Sequence, residues 1–227
     1  MIAVVIPAHK EAAGLGACMV SVQLAASSGA LHGEEVKIFV CADACTDQTE
    51  CIAARRAVVS RLDARNVGAA RALGAQVALK GGARWLAFTE ADSVVSPHWL
   101  AEPLSSGADA VCGTVIVDDW GSFNTSMRAQ HAAVHTDADH HRQIHGANLG
   151  VSAEAYRRSR GFLPLINSED VALVNALRAC GAHIAWSAKP RVSTSARRDF
   201  RAADGFGATL LRVDRVAAQR ACATLDE

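Results

Sequence analysis

Short apolar runs alternate with helix-period segments through the first half of the chain. Residues 2–8 are rich in Val and Ile and read as a strand. Residues 11–26 carry a helical pattern that Ser27, Ser28 and Gly29 end, and 36–41 form the next strand. A helix is predicted over 46–59, with Thr46 or Asp47 as its N-cap, followed by a short strand around 61–64. Residues 66–79 are Ala-rich and helical until Gly81 and Gly82 stop them. Then come a strand over 85–89, a short helix over 97–104 with Pro97 near its first turn, and a strand over 108–117. This rhythm predicts an α/β domain, a mostly parallel sheet with helices on both faces. The second half is less regular. Helices are predicted over 123–135, 152–158, 168–180 and 214–225, and a strand over 183–186. A polar, His-rich stretch at 136–143 and the segment 191–207 are the predicted loops.

Composition narrows the class. At 227 residues, half of them apolar, the chain suits one large domain, or one domain with an appended smaller lobe, and a sizeable core. Formal net charge is zero, so no global basic field argues for nucleic acid or an anionic membrane. No apolar stretch approaches the roughly 20 residues of a membrane span. Residues 1–7 run straight into a strand pattern and lack the parts of a signal peptide. Seven scattered cysteines fit reduced thiols in a cytoplasmic protein better than a disulfide framework. Cys41, Cys45 and Cys51 lack the paired C-x-x-C spacing and fourth ligand of a zinc site.

The chemistry begins where the run Trp85 to Thr89 meets Glu90, Ala91 and Asp92. Strand side chains alternate faces, so Glu90 and Asp92 point the same way if the extended backbone persists. Two hard oxygen ligands at a strand's C-terminal end suit Mg²⁺ or Mn²⁺ holding a diphosphate, and open α/β sheets bind ligands just there. Four further segments lie where a nucleotide site needs them: Pro7 to Glu11, Cys41 to Thr49, Asn66 to Arg71, and Asn167 to Asp170. Singly, each reads equally well as turn, cap or solvated charge.

Together they resemble glycosyltransferase family 2, whose fold is called GT-A. The family order V-x-I-P-A-x-x-E, D-D-x-S-x-D-x-T, N-x-G-x-x-x-A-R-N, an acidic pair, G-x-N and E-D appears here in sequence. The matching segments are Val4 to Glu11, Ala42 to Thr49, Asn66 to Arg71, Glu90 to Asp92, Gly146 to Asn148, and Glu169-Asp170. Four positions depart from it. Ala42 replaces the usual first Asp, Cys45 a small or hydroxyl residue, and Glu90 the first acid of the pair. Where many relatives place a metal-binding His, this chain reads Val192 to Arg198, a run resembling a bacterial subset.

The resemblance implies one GT-A domain over 1–227, a nucleotide-binding half over about 1–117 and an acceptor-side half with a C-terminal helix over about 118–227. It implies an inverting, hexosyltransferase-type reaction: a sugar passes from a nucleotide-sugar donor to an acceptor hydroxyl with metal assistance. Pro7, Ala8 and Glu11 line base and ribose, with Asn66 beside them. Asp43 accepts a hydrogen bond from the base, which favours the imide N–H of uracil and so a UDP-sugar. Arg71 faces the diphosphate. Asp92 coordinates Mg²⁺ or Mn²⁺, with Glu90 beside it, directly or through water. Asp170 is the general base. Gly146, Asn148, His145 and Glu169 face sugar or acceptor. Arg197 and Arg198 read equally as a phosphate lid or a basic surface loop.

Other readings fit the same residues. Ser168 could cap the helix that follows, its acids only opposing the dipole. His131, His135, His140 and His141 read as a solvated face and loop rather than a second metal site. Gly14-Leu15-Gly16 follows a strand, but Met19 stands where a dinucleotide-binding motif needs glycine. A metal-dependent sugar nucleotidyltransferase and a degenerate, non-catalytic sugar-nucleotide-binding protein are the rival functions. The acceptor and the oligomeric state are open.

Overall fold

Strand β1 (Ile2–Ala8) is buried along its whole length, and its alternation divides the core in two. Ile2, Val4 and Ile6 face one side and Ala3 and Val5 the other. The computed structural model describes residues 1–120 and 136–195, with Thr125, Arg128 and Ala129 between them. The predicted 214–225 helix, most of the 123–135 segment, His131, His135, Arg197 and Arg198 lie outside the described residues.

Helix α1 (Leu15–Ala26) packs on the first side of β1. Strand β2 (Val36–Asp43) pairs parallel with β1, and helix α2 (Thr49–Ala53) leads to β3 (Val58–Leu62), parallel with β2. Helix α3 (Val67–Lys80) covers the second side. Then come β4 (Trp85–Phe88), β5 (Val94–Val95), α4 (Ala101–Ser105), β6 (Ala110–Asp119), β7 (Leu149–Ser152), α5 (Ala153–Arg158), α6 (Glu169–Ala179) and β8 (Ile184–Ser195). The eight strands form one sheet in the order β3-β2-β1-β4-β7-β6-β8-β5. β7 runs antiparallel between β4 and β6, and β5 runs antiparallel to β8, so the sheet is mixed but mostly parallel.

Several boundaries differ from the sequence reading. The helix expected over 46–59 ends at Ala53, because Val58 and Val59 join the ladder to Phe39 and Val40. That moves β3 forward from 61–64. Leu149–Ser152, read in part as helix, is a strand whose Ser152 side chain caps α5 by accepting from the Ala155 N–H. The strand expected over 183–186 continues to Ser195, taking in the first residues of an expected loop. His141 is buried, not solvated: its ring meets the Cys112 carbonyl and Gln143 N–H and lies edge-on to Trp186.

Candidate active site

The C-terminal ends of β1, β2 and β4 converge on one cleft, and the antiparallel β7 adds a loop to it. Phe88 pairs with Leu149, so the residues just before β7, Gly146 to Asn148, lie beside the turn that follows β4. β4 stops at Phe88, and Glu90 and Asp92 sit in a turn closed by the Ser93 N–H donating to the Glu90 carbonyl at 3.2 Å. The extended backbone expected through the acidic pair therefore does not persist. Gly14 lets the β1–α1 loop approach this turn: a Cβ there would lie 3.0 Å from the Asp92 Cα.

Arg71, on α3, organises the cleft floor. It is 1 % exposed, among the largest side chains buried in the protein. One terminal nitrogen donates to the Gly146 carbonyl and the other to Glu90 Oε1. Its Nε lies 3.3 Å from Glu169 Oε1, in ion-pair contact but not aligned as a hydrogen bond, and its guanidinium stands 5.6 Å over the Phe162 ring. Gly146 must be glycine for this approach, since a Cβ would fall 2.5 Å from Arg71 Nη1. Asp170 closes the circuit from α6: its Oδ2 accepts from the Gly146 N–H at 2.7 Å and its Oδ1 from the Val171 N–H at 2.8 Å.

Two carboxylates, Glu90 and Glu169, thus contact one guanidinium, and Asp92 and Asp170 stand close enough to act on Glu90. Desolvation pushes the Glu90 carboxyl from an ordinary 4.5 up to about 7; Arg71 opposes the rise, while Asp92, Glu169 and Asp170 add to it. The Glu90 side chain keeps 36 % of its surface, so this is the crowding of a cleft floor that solvent still reaches. Burial, with Arg71 opposing and Asp170 adding, likewise raises Glu169. Cys18 lies beneath, its thiol donating to the Glu90 carbonyl at 3.2 Å; burial, then Asp92 and Glu90, push it up to about 12.

A second network joins the first loops. Asp43 is 3 % exposed, and its carboxylate accepts from the N–H groups of Ala64, Arg65 and Asn66 at 2.8, 2.9 and 2.7 Å. Asn66 caps α3 through the Ala69 N–H and ties it to the Pro164 carbonyl, both at 2.9 Å. Cys45 donates to the Ala8 carbonyl and accepts from the Lys10 N–H at 3.3 and 3.4 Å. Lys10, Ala44 and Arg65, just past the ends of β1, β2 and β3, all have positive φ near 50° (56°, 50° and 48°), as does Ser168 before α6 at 56°. Non-glycine residues in that region carry strain and cluster where loops are shaped for ligands.

The profile of Glycosyl transferase family 2 matches residues 3–161, more than half of the chain. The chain belongs to this family. S. aureus TarS 1–349 solved with UDP-GlcNAc superposes with a TM-score of 0.67 at 13 % identity, over 93 % of this chain and 64 % of that one. The same fragment with UDP gives 0.65 at 14 %, over 86 % and 60 %. GalNAc-T7 solved with UDP, GalNAc and Mn²⁺ gives 0.62 at 16 %, over 86 % and 44 %. At such identities these likenesses show the GT-A fold, and the chain spans less than two thirds of each of the three neighbours. No curated protein matches.

Among the family's motif positions, the fold brings Glu90, Asp92, Arg71, Gly146, Glu169 and Asp170 to one place. Ser168 has positive φ and makes no side-chain cap bond. Asn148 is buried: its amide donates to the Thr114 and Pro190 carbonyls and accepts from Trp99 Nε1. Sequence reasoning missed Asp47 and Thr49 as loop ties. Thr49 Oγ1 accepts from the Glu11 N–H at 2.8 Å and donates to Asp47 Oδ1, whose other oxygen accepts from the Ala12 N–H at 3.2 Å. Both occur in the motif, so position was legible and the partner was not. Among the described residues, no group of three or more His, Cys, Asp or Glu side chains is arranged to hold a metal, and no helix is long and apolar enough to cross a membrane.

Proposed function

We propose that this protein transfers a sugar from a nucleotide-sugar donor to an acceptor hydroxyl by single displacement with inversion. The observation that carries the reading is that Arg71 pairs with Glu90, just past strand β4, and with Glu169, at the start of α6, while Asp92 and Asp170 add their charge around Glu90. That excess of negative charge suits a divalent cation and its diphosphate. Asp92, with Glu90 beside it, would hold the ion, and oxygens of the diphosphate and water would complete the hard donor set that Mg²⁺ or Mn²⁺ favours. When bound, such an ion offsets the charge that grows on the departing nucleoside diphosphate.

Asp170 is the base. Each of its oxygens accepts one backbone N–H, which orients the carboxylate and leaves lone pairs for an acceptor hydroxyl. As the acceptor oxygen attacks the anomeric carbon, Asp170 takes its proton and the bond to the diphosphate breaks on the opposite face. Arg71 acts by position: with its guanidinium turned into the protein, it holds Glu90, Glu169 and the Gly146 loop in register. Asp43 likewise shapes the base pocket through residues 64–66, with Pro7, Ala8 and Glu11 along its wall. His145, Gly146, Asn148 and Glu169 frame the acceptor side. UDP-sugars are the first donors to test, and the cytoplasm is the expected setting.

The test is release of UDP from UDP-sugars in Mn²⁺. Activity should vanish in Asp92→Ala and Asp170→Asn. Full activity in Asp170→Asn would sink the base assignment, and pyrophosphate release from UTP plus a sugar phosphate would make the protein a nucleotidyltransferase. Tight nucleotide binding without turnover would leave a binding protein.

A further inference from the structure

We propose that the outer face of α3, with the loop 161–168, docks on an anionic lipid bilayer. A groove of about 780 Å³ runs along α3 and does not include Glu90, Asp92 or Asp170. Its apolar floor includes Leu73, Leu79, Phe162 and Pro164; Lys80, Arg157 and Arg160 rim it, and no carboxylate lines it. All three cations are exposed, and none forms an ion pair among the described residues. In a chain of zero net charge, that is a local concentration of unneutralised positive charge.

The same loop that gives Phe162 and Pro164 to the groove presents Leu163, Leu165 and Ile166 outward, 52 %, 37 % and 68 % exposed. It is anchored: the Gly68 N–H donates to the Leu165 carbonyl at 3.1 Å, and a Cβ on Gly68 would fall 2.2 Å from the Leu163 carbonyl oxygen. Three aliphatic side chains held in water on a fixed loop carry a standing hydrophobic cost. The occupant follows from where they stand. An acidic peptide lying in the groove would leave Leu163, Leu165 and Ile166 wet, since none of them lines it. A bilayer receives protruding aliphatic side chains while its anionic headgroups meet the basic rim. The loop leads into Asp170, so an acceptor carried by that membrane would meet the proposed base; this last step rests on the proposed reaction, and docking itself does not.

The test is co-sedimentation of the full chain with phosphatidylcholine vesicles and with equimolar phosphatidylcholine–phosphatidylglycerol vesicles, which needs no turnover. The chain should bind the anionic vesicles and release from them as salt rises. Lys80→Gln/Arg157→Gln/Arg160→Gln should weaken binding about a hundredfold, from about 1 kcal/mol per basic residue near the surface. Leu163→Ser/Ile166→Ser should weaken it independently, with both variants keeping the parent's melting temperature. No binding to anionic vesicles overturns the proposal. So does binding that both variants retain, which would place it on other basic residues such as Arg197 and Arg198. Capture of a soluble acidic amphipathic peptide in place of vesicles would give the groove to a protein partner and overturn it too.

Discussion

Replacing Asp43 by Ala separates two roles that the same residue could play. Its carboxylate accepts three backbone N–H groups, from Ala64, Arg65 and Asn66, all within 2.9 Å. Hydrogen bonds to a charged acceptor contribute about 1.5–3 kcal/mol each, so three lost in a dry site would approach about 6 kcal/mol. Ala64 and Arg65 are exposed, however, and water can reach their N–H groups in the variant; Asn66 is half-buried. The expected loss is therefore about 3 kcal/mol, or a fall in Tm of roughly 6–12 °C for a chain of this size. Asp43→Asn should lose about 2 kcal/mol, because either amide orientation turns an NH₂ toward at least one of the same donors. Urea unfolding followed by tryptophan fluorescence measures both. The loop also holds Arg65 at its positive φ, so nucleotide affinity should fall along with stability. An Asp43→Ala protein as stable as its parent, yet a hundredfold weaker for UDP, would refute this reasoning and return Asp43 to direct contact with the base.

Further outcomes follow from the Arg71 circuit. Arg71→Met strands Glu90 and Glu169 without their cation and should cost about 3 kcal/mol in urea unfolding, with Arg71→Lys recovering little because one ammonium cannot span the partners. Gly146→Ala drives a methyl into a guanidinium held on other sides and should cost about 1–3 kcal/mol by the same assay. Because Glu90 is raised from 4.5 to about 7, the folded protein binds that proton more tightly than the unfolded chain. Its contribution is thus full below pH 4.5 and is lost as pH rises through about 7. Melting temperatures across that window should slope downward in the parent and less so in Glu90→Gln. Cys45→Ser keeps a donor and acceptor between Ala8 and Lys10 and should change stability by less than about 1 kcal/mol.

Much of the fold was legible because its elements are strongly periodic. β1, β2 and α3 read correctly since an apolar β-branched run, or an Ala-rich stretch capped by Asn66 and followed by Gly81, has few alternatives. α2 was overextended because nothing local stops a helix after Ala53; the long-range ladder to β2 does so. β7 was hidden because four residues, one of them Gly150, carry too little pattern, and its place between β4 and β6 is a tertiary fact. In the candidate site, residue types marked positions that the fold brings together. They did not announce direction. Asp43, Arg71 and Asn148 looked like side chains for ligands, yet their partners are backbone groups and acids tens of residues away. A sequence shows a charged group, not the groups that will neutralise it.

The proposed reaction depends most directly on Asp92 and the cation it would share with a diphosphate. Calorimetric titration of UDP into the protein, in Mn²⁺ and again in excess chelator, measures that link. Binding should appear in Mn²⁺, fall at least tenfold on chelation, and be equally weak with and without metal in Asp92→Ala. Binding of UDP that neither chelation nor Asp92→Ala alters would contradict the account, as would no binding at all.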